Sequence, residues 1–278
     1  LAPPMALTFW RWIVAALVLL PFVARKLYRE LPLKAGTRRS VGWICVTMAA
    51  GTTLAMLAVN FTTAINATVI NAIQPALTAL FAFLIAHERL SAVQALGIAL
   101  AFFGVLVMIS QASLGVLVQL DINVGDLVML GAAMSWSLYA VEVHRTTHLP
   151  SPEVLLFLIS CAGIAIALPL YLVEHAFFRS FSTVPAALGA VAYLGIGSTV
   201  LAVFLWNTAI RSVGANRAAI FLNLIPVFGA SFAIVFLGER LFGYHVTGVC
   251  LVVAGIYLAV HRAGRRAATG LPAGEKSR

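Results

Sequence analysis

"PALTALFAFLIAHERL", Pro75 to Leu90, returns 151 positions later as "PVFGASFAIVFLGERL", Pro226 to Leu241. Each copy is a proline, twelve mostly apolar or small residues, and a Glu-Arg-Leu triplet. The match continues beyond the triplet, where Gly97 and Gly104 have their equivalents in Gly248 and Gly255. Two copies of one unit, each too apolar to stand in water, predict a duplicated membrane domain.

Composition agrees. Of 278 residues, 62% are hydrophobic and 10% charged, whereas a soluble domain carries about 25% charged residues. Nine apolar stretches can be marked, at roughly 5–24, 41–60, 65–86, 92–110, 125–143, 152–173, 186–207, 216–236 and 243–260. A helix needs about 20 residues to cross the hydrocarbon, so these are read as spans. They are too long and too continuously apolar for the alternating strands of a membrane barrel. The first run is followed by many others, so it is not read as a cleaved targeting segment.

The net charge of +9 is interpreted through its distribution. With alternate loops on opposite sides, one side holds 15 of the 18 basic residues, the other holds Arg179 and Arg240, and Arg11 falls within a span. The rich side and the C-terminus are therefore placed in the cytoplasm. The expected partners are a small-molecule substrate and membrane lipid, with no role for nucleic acid.

The repeat also predicts a helix that this chain does not contain. The second unit owns five spans and the first four, so an all-α membrane protein of ten helices is expected, built from two five-helix repeats with the first helix absent. Residues 1–110 form the first repeat, 111–124 an outer connecting loop, 125–260 the second repeat, and 261–278 a flexible basic cytoplasmic tail. An odd number of helices per repeat makes the halves cross in opposite senses. That inverted arrangement suits a carrier that opens alternately to two sides. One such bundle holds both halves, so a monomer can suffice and the oligomeric state stays open.

Several residues are candidates for the substrate path. Asn71, Gln74 and Thr78 share a face of one span, either lining a cavity or bonding to neighbouring helices, and Asn223 lies at a comparable level. Arg11 is the one basic residue well inside a span; it either anchors the bundle or holds an anionic substrate group such as a carboxylate. Trp10, Trp12, Trp136, Tyr139 and Trp206 offer rings. Trp12 and Trp206 are read as interface anchors, and Trp136 with Tyr139, one turn apart nearer the middle of their span, as a stacking wall for an apolar or aromatic substrate. Pro75 and Pro226 each remove a backbone donor inside a span and are hinge or gate candidates. Glu88 and Glu239 either pair with nearby basic groups or act as gates. Residues 25–40 are read as the longest cytoplasmic loop, after a helix that ends near Pro21.

Other chemistries find no support. No GxxxxGK[ST] or HExxH run is present, so neither an ATP-driven motor nor a metal centre is expected, nor any cofactor. No nucleophile and base lie at matched depth, which argues against an enzyme. Cys45, Cys161 and Cys250 lack metal-ligand or CxxC spacing and read as free, apolar-like thiols. Every carboxylate lies in a loop or near a span end, so no mid-membrane proton relay is visible.

The blocks "FWRW" (Phe9 to Trp12), "NAIQPALTALFAFLIAHERL" (Asn71 to Leu90), "LNLIPVFGASFAIVFLGERL" (Leu222 to Leu241) and "LWNTAIRSVGANRAAIF" (Leu205 to Phe221) resemble the EamA family of the drug/metabolite transporter superfamily. The resemblance covers about 5–260 and within the family is most like the YddG-type aromatic amino acid exporters. It implies ten helices in two inverted halves, and a bacterial inner-membrane carrier that exports small metabolites, often amino acids, through a central cavity. Pro75, Pro226, Glu88, Glu239 and Arg11 match family positions. Lipophilic drugs or cations are the alternative cargo, and a non-transporting receptor or scaffold is the alternative of a different class.

Overall fold

The computed structural model describes residues 3–113, 115, 123–178, 181, 184–237 and 240–268. All regular structure among them is helical: α1 Pro4–Glu30, α2 Ala35–Ala58, α3 Ala64–Ala72, α4 Gln74–Ala86, α5 Ala92–Ile109, α6 Val124–Arg145 and α7 Pro152–Phe177. Then come α8 Pro185–Ala192, a π-helical stretch Tyr193–Leu201, α9 Ala202–Val213, α10 Ala215–Ile220, a 3-10 turn Phe221–Asn223, α11 Leu224–Leu237 and α12 Gly243–Ala268. Counted across their internal breaks, nine helical segments of the described residues are long and apolar enough to cross a membrane. The chain is a multi-pass membrane protein.

Helix starts follow local chemistry. Thr63 accepts from the Asn66 amide at the head of α3. Ser91 with Gln94 and Asn123 with Asp126 form reciprocal capping boxes at the heads of α5 and α6. Asp126 is further engaged by the Thr62 hydroxyl and by Asn66 Nδ2 at 2.9 Å, which ties the α2–α3 turn to α6.

Three boundaries differ from the sequence reading. Residues 25–40 are not a long loop: α1 runs through Pro21 to Glu30 and α2 begins at Ala35. A proline removes only one backbone bond from a helix already held by its neighbours, and the Leu, Arg, Lys and Glu residues that follow favour helix. Likewise α12 continues past 260 to Ala268. The spans containing Pro75 and Pro226 are broken, not continuous: Ile73 separates α3 from α4, with Ile73 N donating to the Ile70 carbonyl at 3.1 Å, and the 3-10 turn separates α10 from α11. Both repeats therefore unwind just before their proline.

The chain forms two compact units, residues 1–86 with 121–218 and residues 87–120 with 219–278. Each unit draws helices from both sequence repeats. In the first, α1 packs on α7, α2 on α6 and α7, α4 on α6, and α1 also on the π-helical stretch. Its core includes Trp12, Ile44, Met48, Tyr139, Leu155, Leu156, Ile159 and Ile210. In the second unit α5 lies antiparallel to α12, with Ile98, Ala101, Val105 and Val252 buried.

Small residues set both sets of contacts, as expected where lipid removes the hydrophobic drive and close van der Waals approach replaces it. A Cβ on Gly51 would sit 2.8 Å from Trp136 Cδ1, one on Gly163 2.5 Å from the Trp12 ring, and one on Gly97 2.6 Å from the Gly255 carbonyl oxygen.

Candidate substrate site

Arg11 sits two turns into α1, on the face turned toward the π-helical stretch. It is 8% exposed. Its Nε–H donates to Thr199 Oγ1 at 2.9 Å, and its Cζ lies 5.5 Å from the centre of the Trp12 ring. Among the described residues no carboxylate lies within ion-pair distance of the guanidinium, and Nη1 and Nη2 make no hydrogen bond. Unlike the indole nitrogens of Trp10 and Trp12, which are buried without partners, the Nη groups are not fully enclosed.

An arginine at the centre of a span costs about 2.5–3.5 kcal/mol on insertion scales, which is an upper bound for Arg11, two turns from the start of α1. One hydrogen bond between a neutral and a charged group returns about 1.5–3 kcal/mol, so Thr199 offsets part of that cost and leaves the charge uncompensated. Such a site favours an anion.

The surroundings of Arg11 are held from several sides. Trp12 is fully buried with its ring in the notch left by Gly163, so it is a packing element and not an interface anchor. Trp206 is half-buried against the same core. Trp10 contacts Phe9 edge-on at 5.4 Å and Tyr171 edge-on at 6.3 Å, while Phe9 and Tyr171 stack at 4.9 Å with planes 4° apart. These rings form a cluster between the start of α1 and the end of α7.

Other candidates are placed as follows. Gln74 and Thr78 are buried; the Thr78 hydroxyl donates to the Gln74 carbonyl at 2.9 Å and lies 3.2 Å from Ser137 Oγ, which itself reaches the Gln74 carbonyl at 3.3 Å. This backbone oxygen at the α3–α4 break is thus occupied by two hydroxyls, one from α6. Asn71, one turn before, is half-buried and its Oδ1 has no partner. Trp136 packs against Gly51, and Tyr139 is sealed in the core with its hydroxyl on Asn207 Oδ1, while Asn207 Nδ2 is left unpaired.

In the second unit, Asn223 is 1% exposed at the 3-10 turn and neither amide atom has a partner. Pro75 and Pro226 lie one turn or less beyond the two breaks. Glu88 lies in the connection after α4, and Glu239 lies outside the described residues.

Sequence reasoning missed four participants: Thr199, Gly163, Glu30 and Glu174. Gly163 had a signal, because it is the repeat equivalent of Trp12. The two glutamates had none: Glu30 accepts from the Ser151 amide at the head of α7 at 2.7 Å, and Glu174, near the end of α7, accepts from the Ala6 amide in the first turn of α1 at 2.9 Å. Each helix of this antiparallel pair thereby satisfies an orphan N–H at the other's N-terminus.

Comparison with known proteins gives a consistent answer. The family model described as "EamA-like transporter family" matches residues 1–110 and 123–261. An uncharacterized transporter of Bacillus subtilis (strain 168), YyaM, is 31% identical over 209 residues, which is 74% of this chain and 67% of that protein. A probable amino-acid metabolite efflux pump of Salmonella typhimurium (strain LT2) is 32% identical over 180 residues, 62% of this chain and 59% of that protein. The similarly named protein of Escherichia coli (strain K12) is 30% identical over 181 residues, 62% of this chain and 59% of that protein. A solved crystal structure shares the fold, with a TM-score of 0.76 at 20% identity, covering 95% of this chain and 89% of that one.

Proposed function

This chain belongs to the EamA-like transporter family, whose members named here are transporters and not enzymes, and from that premise we propose that it exports small carboxylate-bearing metabolites, amino acids foremost. The observation that carries this reading is Arg11: a buried guanidinium with a hydroxyl and an indole face for company and no carboxylate. The names of the Salmonella and Escherichia relatives point the same way. The ring cluster of Phe9, Trp10 and Tyr171 offers surface for aromatic or large neutral side chains, and a fixed positive charge repels the lipophilic cations that form the alternative cargo.

In this proposal the protein lies in a bacterial inner membrane with its C-terminus in the cytoplasm, following the asymmetry of basic residues. Transport proceeds by alternating access, with the helix breaks before Pro75 and Pro226 as the flexing points of their respective units; the unpartnered Oδ1 of Asn71 and the unpartnered amide of Asn223 are candidate substrate contacts, each in its own unit. Its partners in this proposal are a small-molecule substrate and membrane lipid, with no role for nucleic acid and the oligomeric state left open.

Efflux of a panel of radiolabelled amino acids from liposomes tests the reading. Saturable efflux of aromatic or large neutral amino acids, lost in Arg11→Gln, is the expected result. Folded protein that moves none of the panel overturns it.

A further inference from the structure

The π-helical stretch Tyr193–Leu201 gives Arg11 a defined orientation. In an α-helix a threonine hydroxyl that bonds backward reaches the carbonyl three or four residues earlier. Here Thr199 Oγ1 donates to the Leu194 carbonyl, five residues back, at 2.8 Å, and the Ala202 amide likewise reaches Gly197. The wider turn is made where α1 crosses closely: a Cβ on Gly195 would lie 2.6 Å from Val14 Cγ1 and 3.2 Å from the Arg11 carbonyl oxygen. With its proton committed to Leu194, the Thr199 oxygen can only accept, and it accepts from Arg11 Nε–H at 2.9 Å. Thr199 is fully buried, so water does not compete for that oxygen.

A guanidinium can take a carboxylate side-on, through Nε and one Nη, or end-on, through both Nη groups. Thr199 occupies Nε and thereby closes the side-on edge. The Trp12 ring, fixed by Gly163, sits beside the guanidinium. The end-on edge is the one that remains open.

We infer that Thr199 is a positioning residue that holds Arg11 so that a substrate carboxylate binds end-on through Nη1 and Nη2. In the π-helical turn the Thr199 proton goes to the Leu194 carbonyl, which leaves its oxygen to accept from Arg11. This inference rests on the proposed carboxylate transport. Short π-helical segments recur at functional sites, because they are costly to keep where an α-helical turn would serve.

The test uses the full-length protein in liposomes, with L-phenylalanine as the probe. Thr199→Val keeps the side chain's shape and removes the acceptor; Thr199→Ser keeps the acceptor. Loss of one hydrogen bond to a charged group is expected to raise the half-saturating concentration about tenfold in Thr199→Val, with maximal flux within about twofold of wild type. Thr199→Ser should restore it. In an Arg11→Lys background, where no Nε–H of this geometry exists, Thr199→Val should add no further change.

An unchanged half-saturating concentration in Thr199→Val, alongside loss of flux in Arg11→Gln, overturns the positioning role and leaves the carboxylate reading standing. An equal loss of maximal flux in the Val and Ser variants also overturns it, since that marks a packing role. Fluorescence titration of detergent-solubilised protein with L-phenylalanine reads the same shift if Thr199→Val inserts poorly into liposomes. Wild-type protein that neither binds nor moves L-phenylalanine, or Arg11→Gln with unaltered flux, removes the carboxylate reading itself and the inference with it.

Discussion

Gly97 and Gly255 oppose one another so closely that a Cβ on either would lie 2.6 Å from the other's carbonyl oxygen. Gly104 and Gly248 do the same one step along, at 2.8 and 2.9 Å. Under the 151-residue repeat Gly97 corresponds to Gly248 and Gly104 to Gly255. Exchanging the repeats therefore turns one contact into the other, which is the self-complementarity of a two-fold interface. Because α5 and α12 are antiparallel, the two-fold relating them is perpendicular to the helices. For helices that cross a bilayer it lies in the membrane plane, which is the signature of an inverted repeat.

The first prediction follows from that face. Gly97→Ala and Gly255→Ala each force backbone apart and should cost about 1–3 kcal/mol of stability in detergent. Because both residues share one contact, the double variant should lose less than the sum of the singles. Thermal unfolding of the three variants measures this, and additive losses would show that the contact is not shared.

Gly163→Ala should act at a distance on transport. Its new methyl would stand 2.5 Å from the Trp12 ring, and Trp12 is beside Arg11. The expected outcome is a changed tryptophan emission and weaker binding of L-phenylalanine, by several-fold, at unchanged expression. An unaltered emission spectrum would mean that the ring does not rest in that notch.

The polar links at the ends of α1 and α7 differ in weight. Lys26 pairs with Glu153 while its own side chain is 49% exposed, and such pairs contribute about 0–1 kcal/mol. Glu30 accepts the Ser151 amide at a helix head, a charge-assisted bond worth about 1.5–3 kcal/mol. Glu30→Ala should therefore lower the unfolding temperature clearly more than Lys26→Ala, and Glu30→Gln, which keeps an acceptor oxygen, should fall between. Differential scanning of the purified variants ranks them; the reverse order would assign the main role to the ion pair.

Asn223 should show stability and activity moving in opposite directions. Both atoms of its amide are buried without partners, and an apolar residue of similar shape removes that cost. Asn223→Leu is expected to raise the unfolding temperature and to lower amino acid flux at least tenfold. A variant that is both more stable and fully active would exclude Asn223 from the substrate path.

The candidate site was half legible from sequence. Arg11 stood out because a lone basic residue inside an apolar run is conspicuous, and Asn71, Asn223, Pro75 and Pro226 because polar and breaking residues are rare there. Thr199 was invisible: threonine is common in spans, and the π-helical turn that directs its hydroxyl has no residue pattern of its own. Tyr139 was read as a possible stacking surface, and only packing against α9 shows its hydroxyl sealed on Asn207.

Sequence by itself determined what depends on neighbours along the chain: the apolar runs that require helices in lipid, the 151-residue duplication, and the prolines that remove a backbone donor from one span in each repeat. Tertiary structure decided what depends on residues far apart. It placed Arg11 on Thr199, 188 positions away, seated Trp12 against its own repeat equivalent, and drew helices of both repeats into each compact unit. The reason is physical. Hydropathy and backbone chemistry act locally and can be summed along a sequence, whereas a hydrogen bond or a close helix contact needs two surfaces to meet, and that meeting is a property of the packed bundle alone.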